Sequence, residues 1–257
     1  MKTSMEVRSV RDKVSAEEWA ARVALAAAYR LTDVYGMTDM IANHISVEVP
    51  GEPNHFLINA YGLLYTEITA SNLLKIDIDG NVIMKSELDL GVNRAGFVVH
   101  SALHAARPEM KCIMHTHTRA GMAVSALKCG LLYLTQSSTR FDSVAYHDFT
   151  GQAFDLEERE RLVKDMGNAE VMIMRNHGLL TLGESVPEAF NAMYRLELAC
   201  RSQIDAMSCN TELNIPNAEA VKYAHSQWKP GVVRRYGMLE WPALLRRLDQ
   251  IDPSYKL

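Results

Sequence analysis

Asp79-Gly80, set between the strand-like runs 75–78 and 81–84, constrains this chain more than any other short segment. A two-residue Asp-Gly loop turns the backbone straight back on itself, so its flanking runs must pair antiparallel. A second pair of runs repeats the pattern. Residues 45–49 alternate apolar and polar, Pro50-Gly51 breaks the run, and 56–59 returns. Helices must then cover this framework. Ser15 with Glu18, and Ser185 with Glu188, have the spacing of capping boxes, and Asp155 with Glu158 has the same form. The first opens an amphipathic helix to about Tyr35, ended by Gly36. The box at Ser185 opens a long helix whose apolar stripe includes Ala189, Phe190, Met193, Leu196 and Cys200. Further helices are expected at 95–106 and 120–127, apolar strands at 111–114 and 171–174 and, after a turn at 176–178, a strand through Leu182. These elements describe one α/β domain over 1–257, with a mixed or antiparallel sheet, a core at about 18–209 and a helical tail at 210–257.

A net charge of −4 gives no basic footprint for nucleic acid. Residues 1–19 alternate charges without an apolar signal core, and no apolar run approaches the ~20 residues a membrane span needs. A cytoplasmic protein is expected. Four cysteines form no CxxC pair and sit mostly inside apolar runs, which reads as reduced, buried thiols.

Two histidine groupings have metal-like spacing. His115 and His117 fall at the end of a buried strand, where residues i and i+2 point to one face and can reach one cation. His177, just past another buried strand in a Gly-containing turn, is the candidate third ligand, and three imidazoles with an open position form a catalytic pattern. The same spacing also suits two polar residues hydrogen-bonded to backbone at a strand end. His100 and His104 share one helix face but lack the Glu of an HExxH motif, so they are expected to be packed or supporting residues. His55, His147 and His225 stand alone and read as core or surface, while His44 is a candidate pocket residue.

The segments GLLYTEITASNLLKIDIDGNV, GVNRAGFVVHSALHAARPEMKCIMHTHTRAGMAVSALKCGLL and RNHGLLTLGESVPEAF together resemble the class II aldolase/adducin family, from about Glu18 to Cys209. The nearest likeness is to the adducin head and its bacterial relatives. The resemblance implies a three-layer α/β/α domain with a central, mostly antiparallel sheet, a homotetramer with active sites at subunit interfaces, and a metal held by His115, His117 and His177. Zinc is the expected ion, with manganese, iron or cobalt as alternatives, since imidazole suits them all.

The departures are specific. Where fuculose-phosphate aldolases carry Ser-Ser-Glu, this chain has Arg94, Ala95 and Gly96, so the usual acid/base Glu is replaced by Gly96 and two phosphate-binding serines are lost. A second Ser-Gly pair is matched by Tyr61 and Gly62. Asn43, Gly62 and Arg94 remain candidate substrate contacts. Arg94 suits bidentate binding of a carboxylate or phosphate, or else stands as a solvated charge at a helix start. Glu87 and Asp89 read as a solvated loop, and Tyr236, in the tail, is the candidate acid. The implied activity is metal-dependent C–C bond cleavage through an enediolate or enolate of a keto acid, hydroxy acid or sugar derivative. Decarboxylation, in which carbon dioxide leaves without a proton being removed, is one alternative. A non-catalytic, adducin-head-like interaction module is the other, and the intact ligand set argues against it.

Overall fold

In a computed structural model that describes residues 8–151, 156–229, 231–232 and 234–257, the Asp79 hairpin forms, but its loop has three residues rather than two. Asp77 N–H donates to Asn81 O at 3.0 Å and Gly80 N–H to Asp77 O at 3.0 Å, with Gly80 left-handed at φ +84°. This is a turn closed by a bulge at glycine. The Asp77 carboxylate makes the longer loop favourable, because it accepts from the N–H groups of Asp79 and Asn81 at 3.0 and 2.8 Å.

The strands among the described residues are β1 (His44–Glu48), β2 (His55–Ile58), β3 (Leu74–Asp77), β4 (Val82–Met84), β5 (Cys112–Thr116), β6 (Val144–His147), β7 (Val171–Met174) and β8 (Gly178–Gly183). They form one sheet in the order β4-β3-β2-β1-β5-β8-β7-β6. Every neighbour is antiparallel except β6, which lies parallel to β7 at the edge. The helices are α1 (Ala16–Val34), α2 (Arg94–Ala106), α3 (Arg119–Ser125), α4 (Leu156–Met166), α5 (Val186–Ser208), α6 (Ala218–Gln227) and α7 (Glu240–Ile251).

Period-two alternation sorts the core into two layers of contact. Val171 and Ile173 of β7 pack with Leu25 of α1 and Phe190, Met193 and Leu196 of α5. Met172 and Met174 pack on the opposite face with Val99 and Leu103 of α2 and Leu162 and Met166 of α4. The result is the expected α/β/α sandwich. On β1, Ile45 and Val47 enter the first layer, which turns His44 and Ser46 toward α2. On β5, Ile113 faces α2 and α4, so His115 shares that face.

Both serine caps differ from a reciprocal box. Ser15 Oγ accepts from Glu18 N–H at 3.0 Å, but the Glu18 carboxylate turns inward to Arg22 Nε at 2.9 Å and Lys75 Nζ at 3.0 Å. These three groups are 2%, 0% and 7% exposed, so the pairing is obligatory. Glu18→Ala is expected to lower stability by about 3 kcal/mol, because two buried cations lose their shared anion. Urea unfolding checks this, and a loss below about 1 kcal/mol would mean that the cations are effectively solvated. At α5, the Ser185 hydroxyl donates to the Glu188 carboxylate at 2.7 Å instead of capping an N–H, because Arg235 already holds Glu188 from the tail. The proposed cap at Asp155 lies outside the described residues.

One further expectation is corrected. Cys112 and Cys200 are buried, but Cys129 and Cys209 are exposed, the latter at the end of α5. The edge strand β6 was not foreseen. The end of the tail folds onto its own chain: α7 packs on α1, Trp241 meets Phe190 with ring centroids 6.0 Å apart, and Ala70 N–H donates to Tyr255 O at 2.9 Å. Among the described residues, no helix is long and apolar enough to cross a membrane.

Candidate metal centre

Antiparallel pairing of β5 and β8 brings His115 and His177 to the same end of the sheet. His117 follows β5 immediately, and Thr118 then caps α3 through Gly121 N–H at 3.1 Å. The chain must turn at once into that helix, which leaves His117 at the strand end. One ring nitrogen from each of His115, His117 and His177 lies within 4.8 Å of the others, an arrangement that could bind a metal.

The partners of the outer nitrogens decide what the inner ones can do. His115 Nδ1 lies 2.9 Å from Leu179 O, and a carbonyl only accepts, so Nδ1 carries the proton and Nε2 is bare. His117 Nδ1 lies 3.0 Å from the Asp39 carboxylate, which likewise draws the proton to Nδ1. Nevertheless His115 Nε2 and His117 Nε2 are 2.8 Å apart, and His117 Nε2 and His177 Nε2 are 3.0 Å apart. Two lone pairs facing each other at that separation repel unless a cation lies between them. Burial favours neutral rings as well: it holds His115 well below the ordinary histidine range and pushes His177 down to about 4. The donor set therefore fits a divalent ion, with outer partners of the kind that orient metal-bound imidazoles.

The triad opens into a cavity of about 410 Å³ whose walls include Tyr61, Gly96, Val99, His147, Phe149 and Glu158. Val99, His147, Phe149 and Glu158 were not read from the sequence as cavity residues. His147 is 3% exposed and held between Asp165 at 2.8 Å and Glu158 at 2.7 Å, and it reaches the cavity because β6 extends the sheet. Asp39 was also missed, since nothing local links it to a histidine 78 positions away.

The other candidates are spread out. Asn43 is 1% exposed and acts as a brace, accepting from His117 N–H at 3.1 Å and donating to Met37 O at 3.0 Å. Arg94 is exposed at the start of α2, while its neighbours Asn93 and Ala95 line the cavity. Gly62 is exposed and left-handed at φ +118°, beside cavity-lining Tyr61. Asp89 is exposed, and exposed Glu87 pairs with Arg8 at 3.6 Å. Tyr236 packs against Trp228, the rings tilted with centroids 4.8 Å apart, and lines a different cavity, of about 490 Å³, so the chain does not bring it to its own triad.

Residues 23–204 match the family described as Class II Aldolase and Adducin N-terminal domain. The chain belongs to the class II aldolase and adducin family. Within that family it is 50% identical to an aldolase II superfamily protein from Pseudomonas syringae, whose crystal structure superposes with a TM-score of 0.90 over 96% of this chain and 99% of that one. It is 43% identical to rat α-adducin over 90% of this chain, and spans 33% of the adducin. An L-fuculose 1-phosphate aldolase from Glaciozyma antarctica is 27% identical, with a TM-score of 0.83 and 93% of each chain covered. An aldolase-like fold of this kind implies a small-molecule substrate, and class II aldolases depend on divalent metals.

Proposed function

We propose that this class II aldolase family member is a metal-dependent lyase acting on a small keto or hydroxy acid or a sugar derivative. The observation that carries the proposal is the convergence of three imidazole nitrogens, two with their lone pairs fixed inward by Leu179 O and Asp39. Zinc suits the all-nitrogen set, and manganese, iron and cobalt are the alternatives. A divalent ion held there supplies Lewis-acid polarisation of substrate oxygens and takes up negative charge as a C–C bond breaks.

The chain's own residues do the rest. Leu179 O and Asp39 keep two imidazoles aimed inward, and Asn43 fixes the backbone at His117. Val99, Phe149 and Met174 give the cavity apolar walls that reduce water around the substrate. His147 and Glu158 place polar groups on the wall formed by β6 and α4. Arg94, Gly62 and Tyr236 do not line this cavity in their own chain, so in this proposal any part they take lies at the subunit interface of the tetramer. A homotetramer and a cytoplasmic setting, as the family resemblance and the sequence suggest, belong to the proposal.

Elemental analysis before and after chelation tests it, together with turnover assays on keto and hydroxy acids. About one divalent ion per chain and activity that chelation removes are expected. The likeness to α-adducin favours a second reading, an interaction module without catalysis. Absence of metal, and no uptake on adding it back, would select that one.

Restoring a carboxylate at position 96 is not expected to create a fuculose-phosphate aldolase. A Cβ on Gly96 would stand 2.3 Å from His44 Nε2, so Gly96→Glu displaces a buried imidazole before its carboxylate reaches the cavity. The variant is expected to be less stable by about 1–3 kcal/mol, the range for overpacking, and to cleave L-fuculose 1-phosphate no faster than the wild type. Robust cleavage by Gly96→Glu would show that His44 yields its place easily.

A further inference from the structure

His117 is held from two sides, and one buried carboxylate on α5 joins them. On the first side is its chain neighbour Thr118, whose hydroxyl accepts from Gly121 N–H at 3.1 Å and so keeps its own proton to donate. That proton goes to one carboxylate oxygen of Glu197. The other oxygen of Glu197 accepts from Arg201 Nε at 2.6 Å, one turn further along α5. Arg201 Nη2 then donates to the carbonyls of Tyr35 and Gly36 at 3.4 and 3.2 Å, just past the end of α1, where no helical N–H follows to take them.

From Gly36 the chain runs directly into the loop that forms the second side. Met37 N–H donates to Thr32 O at 2.9 Å, and Met37 O accepts from Asn43 Nδ2 at 3.0 Å. Between these two anchors, the Asp39 carboxylate lies 3.0 Å from His117 Nδ1, while Asn43 Oδ1 takes the His117 N–H at 3.1 Å. The His117 ring is therefore aimed through Thr118 along its own chain and through Asp39 across the loop, and the Glu197–Arg201 pair ties both. Glu197 is 3% exposed, and a carboxylate buried this deeply needs both donors. A glutamine does not reproduce it. Its single accepting oxygen can serve Thr118 or Arg201, and the other then faces an N–H.

We propose that Glu197 and Arg201 are positioning residues of the metal centre. The buried carboxylate sets the spacing between the strand end that carries His117 and the loop that carries Asp39, and with it the direction of His117 Nε2. Neither residue lines the cavity, so both act on the ion only through His117. The inference rests on the reading of the triad as a divalent-metal site.

Cobalt(II) is the probe of geometry, because the position and intensity of its visible absorption follow the number and arrangement of its ligands. Competition with a chelator reads zinc affinity. The Arg201 side chain is 47% exposed, so Arg201→Gln is expected to fold. It is expected to alter the cobalt spectrum and to weaken zinc binding roughly tenfold, the low end of what outer partners of metal-bound imidazoles contribute. Glu197→Gln is expected to move both readouts the same way. Combining Arg201→Gln with Asp39→Ala separates a positioning role from a structural one. With the Asp39 carboxylate gone, Arg201 has nothing left to aim, so the double variant is expected to bind zinc no more weakly than Asp39→Ala alone. An unchanged spectrum and zinc affinity in folded Arg201→Gln overturns the proposal, and so does a loss of the same size in both backgrounds. Should Glu197→Gln fail to fold, the Arg201 and Asp39 variants decide. A wild type that takes up neither cobalt nor zinc is a separate result, and it overturns the proposed function instead.

Discussion

With His115 and His117 both replaced by alanine, the protein is expected to fold and to carry no divalent metal above background, where the wild type carries about one ion per chain. The two imidazoles supply two of the three inward nitrogens, and His177 alone offers one neutral donor. A single imidazole does not hold a divalent ion against water, so the loss is of stoichiometric binding rather than of a fraction of affinity. The fold survives because the substitutions relieve two crowded lone pairs and cost two hydrogen bonds, one to Leu179 O and one to the Asp39 carboxylate, worth about 1 kcal/mol each. Asp39→Ala in the same experiment is expected to be milder, weakening binding roughly 10–100-fold by releasing the His117 ring without removing it. Metal analysis with far-UV circular dichroism checks both. Retained stoichiometric metal in the double variant would remove the site assignment altogether.

Legibility in the sequence followed the range over which each constraint acts. His115 and His117 were readable because strand periodicity puts i and i+2 on one face whatever surrounds the strand. His177 was readable because strand ends of one sheet meet at a common edge. The same reasoning left Asp39, and the bonds of His44 and Ser46 to His100 and His104, invisible. Those bonds join residues 54 to 78 positions apart, and only the register of β1 against β5 and the seating of α2 brings them together. His100 and His104 were correctly expected to be packed rather than ligating, but nothing local showed that their partners would be His44 and Ser46. Strand β6 escaped notice because it is four residues long at a sheet edge, and with it went His147 as a cavity residue. The Asp79 hairpin was right in existence and wrong by one residue, since the choice was made by a side chain, Asp77, rather than by the Asp-Gly pair.

A buried histidine cluster makes the protein acid-labile: His44 Nδ1 lies 2.8 Å from His100 Nε2, and Ser46 Oγ lies 2.7 Å from both His100 Nδ1 and His104 Nε2. Burial holds His44 and His100 well below the ordinary histidine range and pushes His104 down to about 3, whereas in the unfolded chain all three titrate near ~6.5. Between those values the unfolded chain binds protons that the native chain refuses, so stability falls as pH falls, starting near pH 6.5. Each such ring contributes up to about 1.4 kcal/mol per pH unit, and three acting together about 4 kcal/mol per unit. Against the ~5–15 kcal/mol of total stability usual for a domain, a loss of about 4 kcal/mol per unit below pH 6.5 unfolds a protein at the low end of that range near pH 5 and one at the high end by about pH 3. Urea titrations of the metal-free protein at pH 7, 6 and 5 read the slope. His104→Phe preserves the stack on Phe56, whose ring centroid lies 4.3 Å from that of His104, while removing one titrating group. Its slope is expected to be shallower by about 1.4 kcal/mol per unit, even though it starts less stable at pH 7 because Ser46 loses a hydrogen-bond partner. Constant stability of the wild type from pH 7 to 5 would mean that the rings take up protons inside the fold.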